Sequence, residues 1–178
     1  MMKKSLALIL LLGIAGPVTA LADDDSLVKF KGGIGVTPVS SGQGTATTAT
    51  IVNRNIVRGV QPPGQIWIIR NLKADVKVDG RIKVNGRGLL LGGGNNIGFN
   101  ANQSVFASLI CGAAAPFTVH SSTLTGVPIA ANGDFRINDQ LTDVPPGPCV
   151  NPVLLIRSAT NQSWFAAGIV QSGERDDD

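Results

Sequence analysis

Eight Lys and Arg residues fall between Arg54 and Arg87, against only Asp75 and Asp79 in the same stretch. They are Arg54, Arg58, Arg70, Lys73, Lys77, Arg81, Lys83 and Arg87. Ammonium and guanidinium groups gathered on one surface attract phosphate, sulfate and carboxylate groups. From residue 76 to 84 the pattern alternates: Val76, Val78, Ile82 and Val84 against Lys77, Asp79, Arg81 and Lys83. A period of two places alternate side chains on one face of a strand, so the basic residues project together. The expected ligand contacts are Arg70, Lys73, Lys77, Arg81, Lys83 and Arg87. The partners that fit are polyanions: acidic polysaccharide, lipopolysaccharide phosphates or extracellular DNA. The same row also suits a solvated sheet face whose charges guard a strand against pairing with another chain. Trp67 is the only aromatic residue in the stretch, so base stacking is poorly supplied.

Other chemistry is thinner. Trp164-Phe165 lies in a run where alternation would put one aromatic inside and one outside. An outward Trp164 would offer a stacking face to a sugar. His120 is the sole histidine, set among Thr118, Ser121, Ser122 and Thr123 with no Gly-x-Ser-x-Gly elbow, and reads as a surface strand residue rather than a general base. One His and two Cys cannot furnish a zinc site, and no cofactor is expected. Asp134 and Asp139 could be imagined as a hydrolase pair, but Asp79 and Asp134 stand beside glycine in turn contexts, where Asp serves the backbone. Gly92-Gly93-Gly94 lacks the Lys of a phosphate loop and reads as a hairpin tip.

The elements that must position these residues begin after a leader. Met1-Met2-Lys3-Lys4 is basic, Ser5 to Gly16 is apolar, and Ala20-Leu21-Ala22 fits an A-x-A cleavage site. That is the pattern of a secretory signal peptide cleaved after Ala22, which places the mature chain in the extracellular or periplasmic space. Acidic residues then sit at both ends: Asp23 to Asp25, and Glu174 with Asp176 to Asp178. Between them lie twelve Lys and Arg and five Asp. The expected layout is an acidic disordered start at 23–26, a β-domain at 27–172 and an acidic tail at 173–178. The acidic ends read as solvated, with folding back onto the basic face as the alternative. In an oxidising compartment Cys111 and Cys149 read as a disulfide.

Few charges, no Tyr, and abundant Gly, Thr, Val and Ile favour strands and turns over helices. The apolar content is too high for a disordered chain. Ile66 to Val78 also tolerates a helical reading, because it lacks Gly and Pro. Asp79-Gly80 marks a hairpin whose turn must hold an odd number of residues, or else a bend within one strand. Val127 and Ile129, Ala131-Asn132-Gly133, and Phe135 and Ile137 form the best hairpin. It predicts a three-residue loop with Gly133 left-handed, Ile129 opposite Phe135 and Val127 opposite Ile137. Ser104–Cys111, Val153–Arg157 and Trp164–Val170 are further strands. Eight to ten short strands in one domain predict an antiparallel β-sandwich or a small barrel.

Across Ser104 to Ile156, a strand ending in Cys, an Asn-Gly-Asp-Phe hairpin and a second Cys before an apolar strand resemble prealbumin-like and Ig-like sandwiches. The resemblance implies a fold class and no site residues. Together the readings describe a secreted, non-catalytic module that binds an anionic ligand, with a self-associating surface or matrix protein as the alternative and a hydrolase third.

Overall fold

Short apolar runs cut by Gly, Pro, Asn and Asp leave little room for a helix, and the computed structural model is all-β. It describes residues 25–43 and 51–171. The signal peptide expected at 1–22 and the acidic tail expected at 173–178 lie outside these residues. The strands are β1 (Ser26–Gly35), β2 (Val39–Gln43), β3 (Ile51–Arg54), β4 (Trp67–Ile68), β5 (Asn71–Lys77), β6 (Arg81–Arg87), β7 (Leu90–Leu91), β8 (Ser104–Cys111), β9 (Thr118–Ser121), β10 (Val127–Pro128), β11 (Phe135–Gln140), β12 (Val153–Ser158) and β13 (Trp164–Val170).

Nine of them form one antiparallel sheet in the order β10-β8-β12-β13-β1-β5-β6-β11, with β9 also on β8. The sheet curls into a half-barrel, at the barrel end of the expected range, and small two-stranded sheets pair β2 with β3 and β4 with β7. Phe30, Leu72, Val76, Ile82, Leu109 and Leu154 fill the core, with Trp67 stacked on Phe165 at 4.1 Å between centroids. Such a pair contributes about 0.5–1.5 kcal/mol beyond its buried area.

The 76–84 alternation forms the β5–β6 hairpin. Leu72, Ala74, Val76, Ile82 and Val84 point inward while Lys73, Arg81, Lys83 and Arg87 are exposed. Val76 faces Ile82 across the ladder, and the turn is the odd-numbered one, with Gly80 at φ 86° and its N–H donating to Lys77 O at 3.0 Å. Val78, expected on the inner face, sits in this turn and is exposed. The helical reading of 66–78 is overturned: β4 and β5 occupy it.

The hairpin continues past β5 and β6. Ile68 faces Leu90, Trp67 faces Leu91, and Gly92 N–H donates to Ile66 O at 2.8 Å, all in the register that pairs Asn71 with Arg87. Between the two segments the faces exchange. Even-numbered residues point inward on β5 and β6, but Trp67 and Leu91 are the buried ones in the extension. Gly88, at φ 66°, supplies the left-handed step at this crossover on the returning strand.

The 127–137 hairpin forms its turn but not its ladder. Ala130 N–H donates to Asp134 O, and Gly133 is left-handed at φ 84° as expected. Beyond the turn the arms separate: β10 pairs with β8 and β11 with β6. Ile129 and Phe135 are both buried, and their arms find longer partners at the two ends of the curled sheet.

The disulfide between Cys111 and Cys149 forms, with Cα atoms 5.1 Å apart. Arg58 braces the same corner. Its guanidinium donates to Gly112 O and, at 3.0 Å, to Asn151 O, and lies 4.5 Å from the centre of the Phe117 ring. Closing a loop of 38 residues stabilises by about 4 kcal/mol in the chain-entropy account. Cys111→Ala with Cys149→Ala is expected to lower stability by about that amount in urea melts.

Gly86 faces Phe135 across β6 and β11, and a Cβ there would intrude on the Phe135 ring. Overpacking of this kind costs about 1–3 kcal/mol. Gly86→Ala is expected to lose that much in the same melts, and adding Phe135→Leu to recover part of it.

Candidate functional site

The outward faces of β1, β5, β6 and β11 carry the basic residues in rows that run across the strands. One row is Lys31, Lys73, Asn85 and Arg136, each directly opposite the next. The adjacent row is Lys29, Asp75, Lys83 and Asn138. Strands about 4.8 Å apart give each row a span of roughly 15 Å. Together the rows line an open groove of about 770 Å³. Its one carboxylate is Asp75, which accepts from Ser26 Oγ at 2.7 Å and pairs with Lys77 Nζ at 3.1 Å. A further depression of about 400 Å³ is lined by Arg70, Asn71, Lys73, Asn85 and Arg87. Lys73 and Asn85 belong to both, so the cationic surface is continuous.

The third row, at the β5–β6 turn, has a different character. Lys77 Nζ lies 2.8 Å from Asp25 Oδ1, Arg81 Nη2 lies 3.0 Å from Asp25 Oδ2, and Arg81 Nε lies 2.6 Å from Asp79 Oδ2. Lys77 thus holds Asp25 and Asp75, and Arg81 holds Asp79 and shares Asp25. The hydrogen bonds that it donates to Asp25 and Asp75 push the Lys77 ammonium up from its usual value. The hydrogen bond from Lys77 holds the Asp25 carboxyl low, and Arg81, through its backbone N–H and its guanidinium, does the same for Asp79. Asp25 and Ser26 were expected in a disordered start. Instead Ser26 opens β1 opposite Lys77, and Asp25 folds back onto the basic face.

Of the sequence-derived contacts, Arg70, Lys73, Lys83 and Arg87 are exposed and line the groove or the depression beside it. Lys77 and Arg81 share their face but are engaged by acids. Trp164 is a correction. It is 3% exposed, its indole N–H donating to Asn55 O at 2.9 Å, so it presents no stacking surface. Phe165 is buried as well, stacked on Trp67, because it is the extra residue of a bulge in β13, between Trp164 opposite Arg157 and Ala166 opposite Ile156, which lets consecutive residues both be covered. Sequence reasoning missed Lys29, Lys31, Arg136 and Asn138. Their signal was local alternation, Lys29-Phe30-Lys31 and Arg136-Ile137-Asn138, in segments whose pairing with β5 and β6 is not written locally.

His120 is also corrected: it is buried, 6% exposed. Its Nδ1 donates to the Asp143 carbonyl at 2.7 Å, and Nε2 has no hydrogen-bond partner among the described residues. The two carboxylates weighed for hydrolysis are occupied by the backbone. Asp134 accepts from Gly88 N–H at 3.1 Å, and Asp139 from Thr123 N–H and Gln140 N–H, both at 2.8 Å. Burial pushes the Asp139 carboxyl up, but those N–H donors outweigh it and leave it below the usual value. No group of His, Cys, Asp and Glu suited to a metal ion occurs among the described residues.

The Asp25 and Asp79 shifts fix the sign of an acid response. A carboxyl held low in the fold stabilises above its unfolded value of about 3.9, and that contribution disappears as pH falls through the folded value. Thermal melts are expected to show Tm dropping below about pH 4. Asp25→Asn with Asp79→Asn should flatten that drop, and about 0.5 M NaCl should shrink it, because these exposed pairs are screened. No protein-family model, no curated protein and no solved structure matches the chain.

Proposed function

We propose that the chain is a secreted, non-catalytic β-domain that binds an anionic ligand in the groove across β1, β5, β6 and β11. The observation that carries this reading is the row Lys31, Lys73, Asn85 and Arg136. Lys31 and Lys73 stand directly opposite on neighbouring strands, and the row holds no carboxylate. Like charges in that position destabilise a sheet. An anion laid across the row relieves the repulsion and accepts from several donors at once. Asn85, Asn138 and Gln171, also in the groove, add neutral amide groups that orient a ligand without adding charge.

Export rests on the basic, apolar and A-x-A order of the first twenty-two residues, with which the disulfide is compatible. Among the described residues no helix is long and apolar enough to cross a membrane.

Heparin-affinity chromatography tests the reading. The parent is expected to be retained at low salt and to elute as salt rises, since exposed charges are screened within about 10 Å at 0.1 M. Lys73→Glu with Lys83→Glu and Arg136→Glu should abolish retention. Lys77→Gln with Arg81→Gln, which changes the acid-paired row, should weaken it much less. Lys31→Gln should weaken retention yet raise stability by about 0.2–1 kcal/mol, because it removes the opposed pair. A parent that passes through the column at low salt would sink the proposal.

A further inference from the structure

One solvent-facing surface is apolar, and it adjoins the groove. The face exchange at Gly88 turns the outer side of β4 and β7 into Ile66, Ile68, Leu90 and Gly92, in place of the charged residues of β5 and β6. A Cβ added at Gly92 would lie 2.7 Å from Ile68 Cγ2 and 3.0 Å from Ile66 Cγ2, so both isoleucines sit on this face against bare backbone. Ile68 is 52% exposed. The loop that follows β7 returns beside it: Leu91 N–H donates to Phe99 O at 2.9 Å, and Phe99 is 65% exposed.

Immediately along the same hairpin come the cations. Arg70 follows Ile68 by two residues, its N–H donates to Arg87 O at 3.0 Å, and both arginines line the depression shared with Lys73. A soluble polyanion would use the arginines and leave the isoleucines in water. An anionic bilayer would use both, because its interface offers phosphates beside an acyl boundary that accepts apolar side chains.

We infer that this end of the hairpin docks on a bilayer containing anionic phospholipid, with Ile66, Ile68 and Phe99 entering the acyl boundary and Arg70, Arg87 and Lys73 meeting headgroup phosphates. The inference rests on the proposed anion-binding groove and names the surface that brings its ligand. Basic face and apolar tip follow one another on one rigid hairpin, and that charge complementarity selects an anionic membrane over an uncharged one.

The test is co-sedimentation of the purified chain with vesicles of phosphatidylcholine alone and of phosphatidylcholine doped with phosphatidylglycerol, run beside the heparin column. The parent is expected to bind the doped vesicles at least tenfold more tightly. Ile66→Ser with Ile68→Ser and Phe99→Ser should cut vesicle binding about tenfold or more while heparin retention and the far-ultraviolet dichroism spectrum stay unchanged. A Phe99→Trp variant gives a readout that does not depend on that triple change: its emission should shift to the blue on doped vesicles. Retention on heparin without vesicle binding would overturn this inference and leave the groove standing. Loss of both would overturn both. An unshifted Phe99→Trp emission, equal vesicle binding by the serine variant, or a solution dimer that the serine changes dissolve would also overturn it.

Discussion

The chemistry of this molecule depends on the alternation of one long hairpin, Ile66 to Gly92. Its pairs keep a single register from Trp67 opposite Leu91 to Val76 opposite Ile82. Because each strand must bury one face, the sequence of inward residues dictates what the other face presents. On β5 and β6 the buried set is Leu72, Ala74, Val76, Ile82 and Val84, so the water side receives Lys73, Asp75, Lys83 and Arg87. In β4 and β7 the buried set becomes Trp67 and Leu91, and the water side receives isoleucine. Trp67 is fixed by its stack on Phe165, and Leu89 beyond the crossover is fully buried. The exchange of faces therefore follows from core packing, and the abrupt change in surface character is its consequence.

Electrostatics divides the basic face a second time. At the β5–β6 turn, Asp25, Asp75 and Asp79 crowd around Lys77 and Arg81. Exposed pairs of this kind contribute little individually, but they neutralise their row and pin the start of β1 against the hairpin. Two rows further along, Lys31, Lys73 and Arg136 have no ion pair among the described residues. A sheet selected for stability alone would place an acid opposite Lys31. Among the described residues of this face, Asp25 and Asp79 lie at the turn and Asp75 in the row beside it, and the row of Lys31, Lys73, Asn85 and Arg136 holds no acid.

The β5–β6 hairpin was legible as one of two readings, beside a bend within one strand, because residues 76–84 alternate and Asp79-Gly80 marks a turn, whereas its extension through β4 and β7, where the faces exchange, was not. The disulfide was legible from the pairing of two cysteines, and β8, β12 and β13 from their continuous apolar runs. What escaped were statements about long-range pairing. β1 and β11 flank β5 and β6 in space but lie some forty residues or more away in sequence from their partners, such as Lys31 opposite Lys73 and Arg136 opposite Asn85. The turn of residues 130–134 was likewise clear, while its arms answered to β8, through the short ladder of Val127 and Pro128, and to β6, through the longer ladder from Phe135 to Gln140. Trp164 escaped because a bulge resets the alternation within a run that looks regular, and His120 because a short strand gives too few residues to phase.

Stability and exposure are separated around the curled sheet. Across β8 the residues from Val105 to Ile110 are fully buried whichever face they take, and the neighbouring β12 and β13 are mostly covered too. Polar groups there are satisfied in pairs: Ser108 Oγ lies 2.8 Å from Ser121 Oγ, and Ser158 Oγ donates to Gln103 Oε1 at 3.0 Å. The half-buried Arg157 guanidinium lies 5.1 Å from the centre of the Phe106 ring and donates to Gln162 O at 2.9 Å. The disulfide and the Arg58 brace join β8 to the start of β12 in the same region. These contacts hold the sheet by dispersion, hydrogen bonding and covalent closure, none of which salt screens strongly. The half built from β1, β5, β6 and β11 can therefore carry opposed cations at a modest cost. Their repulsion acts on an outer face whose backbone is held by antiparallel ladders and whose inner side chains belong to the common core. Among the described residues the fold thus sets the row of Lys31, Lys73 and Arg136 beside the exposed Ile66 and Ile68, because one hairpin carries both outer faces on a core that other strands hold.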